Sequence, residues 1–487
     1  MTDAPEHPYG GVEPRYSPEE LAELLGGNLP TAQQSAVISA PLTPRLVVAG
    51  AGSGKTATMV DRVVWLVANG VVAPDQVLGV TFTRKAAGEL GERMRSRLAR
   101  LRAQGLVAPI GADEAGEDDL PAAPQDPTVS TYHSYANTLV RNYGLRIGIE
   151  PDTTLLGQAR TWQIAAQTVE AWTGELLETM PAKSTMVAAV LDLASACAEH
   201  LVDPADVERF AAELLGALAT TPPGRRKKTL GAQLKKVEDN QRTAWVLAEL
   251  VADFSRRKHA AQAMDFGDLL SAAARLAEQD PAARRTERQR HRVVLLDEFQ
   301  DTSHAQLRLF AALFGNGHSV MAVGDPQQSI YGFRGASSGQ LFGFYDSFPV
   351  APGQDGEPSF LTTAWRNDAS ILDVANTIAA PLRTLPAWAR GRSSLTVPEL
   401  APRPGAGTGR VRISRWATDL EEAAAIDPKI SIATVYRTVR LFEEAGILER
   451  HDFGDGRARY EAAAETHHDH LIDVETGKVI EFVDEEL

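Results

Sequence analysis

The stretch Ala49-Gly50-Ala51-Gly52-Ser53-Gly54-Lys55-Thr56 constrains this chain more than any other. The apolar run Leu46-Val47-Val48 before it reads as a buried strand, and a helical pattern over 56–66 follows it. Strand, Gly-rich turn and helix in that order make a phosphate-binding loop. The glycines let backbone N–H groups close around phosphate oxygens. Lys55 supplies a point charge for the β- and γ-phosphates, and the Thr56 hydroxyl is placed to ligate Mg²⁺. Ala49 stands where the common pattern has Gly. An ordinary Gly-rich turn is the alternative, but Gly-Lys-Thr directly before a helix argues against it.

A second motif points to the same chemistry. Arg292-Val293-Val294-Leu295-Leu296 reads as another buried strand, ending in Asp297-Glu298-Phe299-Gln300-Asp301. A carboxylate at the C-terminal end of a parallel strand lies beside such a loop. There Asp297 can hold Mg²⁺, and Glu298 can orient or deprotonate an attacking water. A lone Asp-Glu pair is more often a solvated strand end; the upstream loop decides between the two.

Short apolar strands recur between helical patterns, at 46–48, 77–82, 128–132, 293–296 and 319–323. That alternation predicts an α/β fold with an open parallel sheet and helices on both faces. From 144 to 263 the pattern is almost wholly helical, with breaks near Pro181, Pro204 and Pro222-Pro223, and reads as an insertion. Residues 111–127 are acidic and Pro/Ala-rich and read as a surface loop. Arg225, Arg226, Lys227, Lys228, Lys235 and Lys236 form the densest basic cluster, equally consistent with a DNA-backbone contact and a solvated helix face.

The 487 residues are enough for roughly two to four domains. An apolar fraction of 44% and a charged fraction of 23% belong to a soluble globular chain. One cysteine, Cys197, excludes a disulfide framework and fits a reducing cytoplasm. Without a long apolar run or a signal peptide, the expected location is cytoplasmic and no membrane is expected. The net charge of −15 excludes a uniformly basic nucleic-acid binder but leaves room for a local basic groove.

Residues 29–426 resemble the first half of a superfamily 1 DNA helicase of the UvrD/Rep/PcrA type. Leu29-Pro30-Thr31-Ala32-Gln33 resembles its Q motif, in which Gln33 would read the adenine edge. Val80-Thr81-Phe82-Thr83-Arg84-Lys85 resembles the segment along single-stranded DNA, implicating Phe82 and Thr83. Thr131-Tyr132-His133-Ser134 matches the next DNA-contacting motif, through His133. Met264-Asp265-Phe266-Gly267-Asp268-Leu269-Leu270 matches the segment before the acidic motif. In Gly324-Asp325-Pro326-Gln327-Gln328-Ser329-Ile330-Tyr331-Gly332-Phe333-Arg334, Gln328 would sense the γ-phosphate. Tyr331 and Phe333 would stack on bases, worth roughly 1–3 kcal/mol each, with Arg334 beside them. Core packing is the commoner role for such aromatics; their place after Gln328 favours DNA. In Thr363-Ala364-Trp365-Arg366-Asn367, Trp365 would stack on adenine, where the family has Tyr, and Arg366 would act as an arginine finger.

From 427 the sequence resembles the middle of a ferric uptake regulator. Ile430-Ser431-Ile432-Ala433-Thr434-Val435-Tyr436-Arg437 resembles its recognition helix, with Ser431 as N-cap and Tyr436 and Arg437 facing DNA. Phe453-Gly454-Asp455-Gly456-Arg457-Ala458-Arg459-Tyr460-Glu461 resembles a two-stranded wing. By motif position Glu461, His468, His470 and Glu481 correspond to one regulatory metal site, and His467 and Asp469 to a second; Fe²⁺, Mn²⁺ or Zn²⁺ are the candidate ions. A His cluster can also be a solvated loop. Asp473 and Thr476 stand where many members have a Cys pair. Residues 427–487 carry 7 basic and 15 acidic residues, a net −8 and about half the chain's total charge.

The expected organisation is a disordered N-terminus (1–14), a RecA-like P-loop NTPase sheet domain (15–143 and 264–370), an all-helical insertion (144–263), the start of a truncated second α/β domain (371–426), and a winged-helix and metal-site fragment (427–487). No Gly/Ser/Pro linker marks the join near Ile426-Asp427. The chain thus reads as a chimera, with a 3′–5′ helicase core that binds ATP, Mg²⁺ and single-stranded DNA. The domain missing from that core is expected to limit hydrolysis and prevent unwinding, unless a partner chain supplies it. A metal-dependent transcription regulator acting on duplex operator DNA is the alternative. In a third possibility neither part functions and the chain is partly unfolded.

Overall fold

The computed structural model describes residues 9–107, 126–173, 183–220, 228–330, 338–351, 356–383 and 397–411, and four strands beyond them. The chain divides into two units, Met1–Gly409 and Arg410–Leu487.

The first unit is built on a six-stranded sheet. In spatial order its strands are Thr128–Thr131, Val77–Thr81, Val293–Leu296, Ser319–Gly324, Arg45–Ala49 and Ser359–Leu361, and every pair is parallel. Both faces are covered, so the central strands are apolar throughout instead of alternating with polar residues. Leu46, Val48, Val80, Val294, Leu296 and Ala322 pack on one face with the helices Tyr132–Tyr143, Phe266–Gln279 and His304–Phe314. Val47, Ala49, Val293, Leu295, Met321 and Val323 pack on the other with Lys55–Ala68 and Arg84–Ala103. Fully burying one such Val, Leu or Phe is worth roughly 1.5–3 kcal/mol.

Local chemistry sets the helix starts. Thr131 is not a mid-strand residue: its Oγ1 accepts from Ser134 N at 3.2 Å and caps the next helix. Tyr132, expected as a strand end, therefore opens that helix and stacks edge-on against Phe310. Phe82 likewise lies just past its strand, and Thr83 caps the helix Arg84–Ala103 by accepting from Ala86 N at 3.1 Å.

Three other expectations need correction. The insertion is not all-helical: Thr154–Leu155 and Ala263–Met264 pair as short parallel strands at its base. Its helices Gln158–Ala171, Lys183–His200 and Lys228–Ala260 share a core of Ile164, Val190, Leu250 and Phe254, and the helix Pro204–Thr220 packs on Lys228–Ala260 outside that core. Disorder over 1–14 fails from Tyr9 onward, because the Tyr9 hydroxyl donates to Ser39 O at 2.6 Å and its ring packs edge-on against Trp65. The sheet also has a sixth strand that was not foreseen, Ser359–Leu361. Among the described residues no single helix is long and apolar enough to cross a membrane.

The second unit contains two antiparallel pairs, Leu448–Asp452 with Ala458–Ala462 and Asp469–Ile472 with Val479–Phe482. Its expected recognition helix, with Tyr436 and Arg437, lies outside the described residues, as do His467 and His468.

Candidate nucleotide-binding site

Every sheet strand ends on the same edge, and the candidate residues gather at the ends. This is where open parallel sheets bind ligands. Ala49 closes the strand Arg45–Ala49; Gly50, Ala51, Gly52, Ser53 and Gly54 turn; Lys55 and Thr56 open the helix Lys55–Ala68. Gly52 and Gly54 sit at φ +74° and +85°, a left-handed backbone natural only to glycine. Ser53 Oγ donates to Gly50 O at 2.8 Å and Thr58 Oγ1 to Gly54 O at 3.0 Å, which stiffens the loop.

Lys55 Nζ donates to Glu298 Oε2 at 3.1 Å. Glu298 has a left-handed backbone, φ +49°, which costs a non-glycine residue on the order of 1 kcal/mol and marks a constrained site. Asp297 N continues the sheet ladder by donating to Val80 O at 2.8 Å. The Asp297 carboxylate is only 6% exposed. Burial first, and then the Glu298 charge, push its pKa up to about 6 against the pull of Lys55. Asp301 is raised to about 6 by the same two causes, and its Oδ1 is buried without a hydrogen-bond partner. A cation nearby would relieve both the burial and the like charge that raise these two groups. Thr56 and Asp297 offer hard oxygen ligands of the type Mg²⁺ takes, alongside phosphate and water.

Gln300, not singled out from sequence, ties the acidic motif to the next one. Its Nε2 donates to Glu298 Oε2 at 2.8 Å and its Oε1 accepts from Asp325 N at 2.9 Å. Gln328 Nε2 then donates to Asp325 Oδ2 at 2.5 Å. Gln328 is thus linked to Glu298 through two side chains. Tyr331, Phe333 and Arg334 follow it but lie outside the described residues.

The Trp365 and Arg366 segment docks against the phosphate loop. Trp365 N donates to Gly52 O at 2.8 Å, and a Cβ on Gly52 would lie 2.7 Å from Arg366 Cβ. Trp365 is 42% exposed as a residue. Arg403, also missed from sequence, holds this turn: it donates to Trp365 O and to Asp368 Oδ1, each at 3.2 Å. The strand just before it, Ala401–Pro402, pairs with Thr363–Ala364, a contact that local pattern could not reveal. Gln33 Oε1 accepts from Thr362 N at 2.9 Å and Thr362 Oγ1 at 3.0 Å, which brings the Q-motif helix Ala32–Ile38 to the same edge.

Phe82, exposed Thr83 and half-buried His133 lie past neighbouring strand ends. The His133 ring packs edge-on against Phe266 at 5.8 Å, and burial lowers its pKa, so at neutral pH it is uncharged. Lys235 and Lys236 are exposed on the helix Lys228–Ala260.

Residues 29–349 match the family model described as the UvrD/REP helicase N-terminal domain. The chain belongs to the UvrD/REP helicase family. It is 28% identical to ATP-dependent DNA helicase UvrD1 of Mycobacterium leprae over 371 residues, 74% of this chain and 40% of that protein. It is 28% identical to DNA helicase II of Haemophilus influenzae, over 74% of this chain and 41% of that one. It is 30% identical to ATP-dependent DNA helicase UvrD2 of Mycobacterium bovis, over 72% and 43%. The chain therefore spans about two-fifths of the length of the curated relatives it matches. Residues 418–487 match the ferric uptake regulator family, beginning before the expected join at Asp427. There the strand register sets His470 opposite Glu481, with Asp469 beside it and Glu461 on the other pair. Among the described residues no group of three or more His, Cys, Asp or Glu is gathered to hold a metal ion.

Proposed function

We propose that this chain is the ATP-binding core of a 3′–5′ DNA helicase. The Lys55–Glu298 pair beside buried Asp297, at the carboxyl edge of a parallel sheet, supports this best. In this reading the phosphate loop, residues 49–56, cradles the nucleotide phosphates, and Lys55 exchanges Glu298 for them. Thr56 and Asp297 hold Mg²⁺, which neutralises charge on the β- and γ-phosphates when bound. Glu298 orients the attacking water, Gln328 senses the γ-phosphate, and Arg366 stabilises charge developing there. Trp365 stacks on the adenine and Gln33 reads its edge. Phe82, Thr83 and His133, with Tyr331, Phe333 and Arg334, form the single-stranded DNA track.

In the relatives' family a second RecA-like domain closes over the nucleotide and moves DNA. Residues 15–143 and 264–370 correspond to the first domain, 144–263 to its insertion and 371–426 to the start of the second. On this basis the chain joins a helicase core that binds ATP and single-stranded DNA to a ferric uptake regulator fragment, a chimera. Calorimetric titration of Mg·ATP into wild type and Lys55→Ala tests this; equal binding by both overturns it.

The match over 418–487 and the His470–Glu481 register favour a second role for the C-terminal unit: metal-dependent binding of duplex operator DNA. Glu461, His468, His470 and Glu481, then His467 and Asp469, would take Fe²⁺, Mn²⁺ or Zn²⁺, and Tyr436 and Arg437 would meet the DNA. Retention of an AT-rich duplex that ignores added Mn²⁺ removes this role.

A further inference from the structure

Arg62 lies seven residues after Lys55 on the helix that the phosphate loop opens, and it is only 1% exposed. A guanidinium in such a place is costly unless its donors are satisfied. Arg62 Nη1 donates to the carbonyls of Val37 and Ile38 at 3.0 Å and of Ala40 at 2.8 Å; Nη2 donates to Pro41 O at 3.1 Å. Burial pulls its pKa down to about 10, so it remains protonated at neutral pH.

These acceptors are the end of the helix Ala32–Ile38 and the chain just after it. Helix C-termini leave carbonyls without intrahelical partners, and a seven-residue helix is far below the length that persists alone. The first turn has its own device, a capping box in which Thr31 Oγ1 accepts from Gln34 N and Gln34 Oε1 from Thr31 N. At the other end Ser39 N donates to Ser35 O at 2.9 Å, and Arg62 ties the remaining carbonyls to the phosphate-loop helix. Between these two fixings stand Gln33, whose Oε1 meets Thr362, and Gln34, whose Nε2 donates to Ser53 O at 3.4 Å. One helix therefore carries Lys55 at its start and, two turns on, the guanidinium that anchors the helix bearing Gln33. The two hydrogens of Nη1 are shared among three of these carbonyls, Nη2 reaches the fourth and Nε is buried without a partner, so the two outer nitrogens of the fork do the anchoring, a reach that a single ammonium does not have.

We propose that Arg62 is a positioning residue for base recognition: it locks the Gln33 helix to the phosphate-loop helix, so that base and phosphates are read from one rigid body. This rests on the nucleotide reading above. It predicts a larger loss for the base than for the phosphates, because Gln33 sits in the helix Ala32–Ile38 itself, whereas that helix reaches the phosphate loop through the long Gln34–Ser53 hydrogen bond at 3.4 Å.

The test is calorimetry on the full chain with two probes, Mg·ATP and Mg·tripolyphosphate, using wild type, Arg62→Met and Arg62→Lys. Arg62→Met should weaken ATP about tenfold, the equivalent of ~1.4 kcal/mol, with tripolyphosphate changed less than about twofold. Arg62→Lys should recover part of the loss. Equal losses for both probes, or none for ATP, overturn the inference. If circular dichroism shows that Arg62→Met does not fold, the same ratio measured on Arg62→Lys decides, with a smaller selective loss expected. Wild type binding neither probe, or binding both despite Lys55→Ala, overturns the nucleotide reading itself. Lys55-dependent binding with an unchanged ratio overturns only the role of Arg62.

Discussion

Lys55 Nζ and Glu298 Oε2 lie 3.1 Å apart, so the lysine that opens the loop helix and the carboxylate that follows the acidic strand hold each other. Glu298 then competes with phosphate for the same ammonium. Glu298→Gln removes the charge but keeps the shape. The pair is partly exposed and worth about 0.5–1 kcal/mol, so ATP should bind roughly two- to fivefold more tightly to the variant. Titration of both proteins checks this; weaker binding by Glu298→Gln would mean the carboxylate helps hold nucleotide instead of competing for Lys55.

Asp297 makes stability depend on pH. Its folded pKa of about 6 lies above the ordinary 3.8, so between these values the folded chain holds the extra proton. Stability therefore falls as pH rises through that window, and the full penalty is present above it. Asp297→Asn should raise unfolding free energy at pH 7.5 by on the order of 2 kcal/mol. At pH 4 it should give little gain. Urea melts at the two pH values check this, and an equal gain at both would show that charge burial is not the cause. Mg·ATP affinity of wild type should rise with pH through about 6, as Asp297 becomes free to bind the ion.

Gly52→Ala should act on two things at once. The new Cβ meets Arg366 Cβ at 2.7 Å, and the backbone is left-handed. Gly11 has a similar backbone, φ +90°, with nothing within 4 Å of a built Cβ. Gly11→Ala should cost only the backbone strain, about 1–2 kcal/mol, and leave ATP affinity intact. Gly52→Ala should cost more and weaken ATP. Thermal melts and titrations of both variants make the comparison; equal ATP affinities would detach Arg366 from the phosphate loop.

Arg403→Gln should loosen the Trp365 turn, which stays tied to the phosphate loop through Trp365 N and Gly52 O. Two hydrogen bonds, to Trp365 O and Asp368 Oδ1, are lost or weakened. ATP affinity should fall several-fold, in line with about 1 kcal/mol per net hydrogen bond, while tripolyphosphate affinity stays level. A parallel loss of both would assign Arg403 to the fold instead of to the base.

What was legible in the sequence was what is local. The strand–glycine–helix run around Lys55 declares itself because its strand, turn and cap are contiguous. The acidic strand end at Asp297 does so for the same reason. Ser359–Leu361 did not, since three residues carry no periodicity and become a strand only by pairing with Val47–Ala49, some 300 residues away. Arg62, Gln300 and Arg403 escaped notice for a related reason. Each is an ordinary surface residue type whose role is set by carbonyls and carboxylates that arrive from elsewhere in the fold. Tyr132 was misassigned by one residue because a threonine suits both a strand and a cap.

The two ends of the helical excursion hydrogen-bond to each other: Thr154 N donates to Gln262 O at 2.9 Å and Leu156 N to Met264 O at 2.8 Å. The sheet domain therefore meets this hundred-residue excursion as a closed doorway of fixed width. Beyond the doorway the helix Lys183–His200 lies back on the sheet domain, where Ser271 Oγ donates to Ala198 O at 3.1 Å and the His200 ring stacks on His304. The frame and the arm it carries are therefore joined twice, once at the doorway and once along that helix.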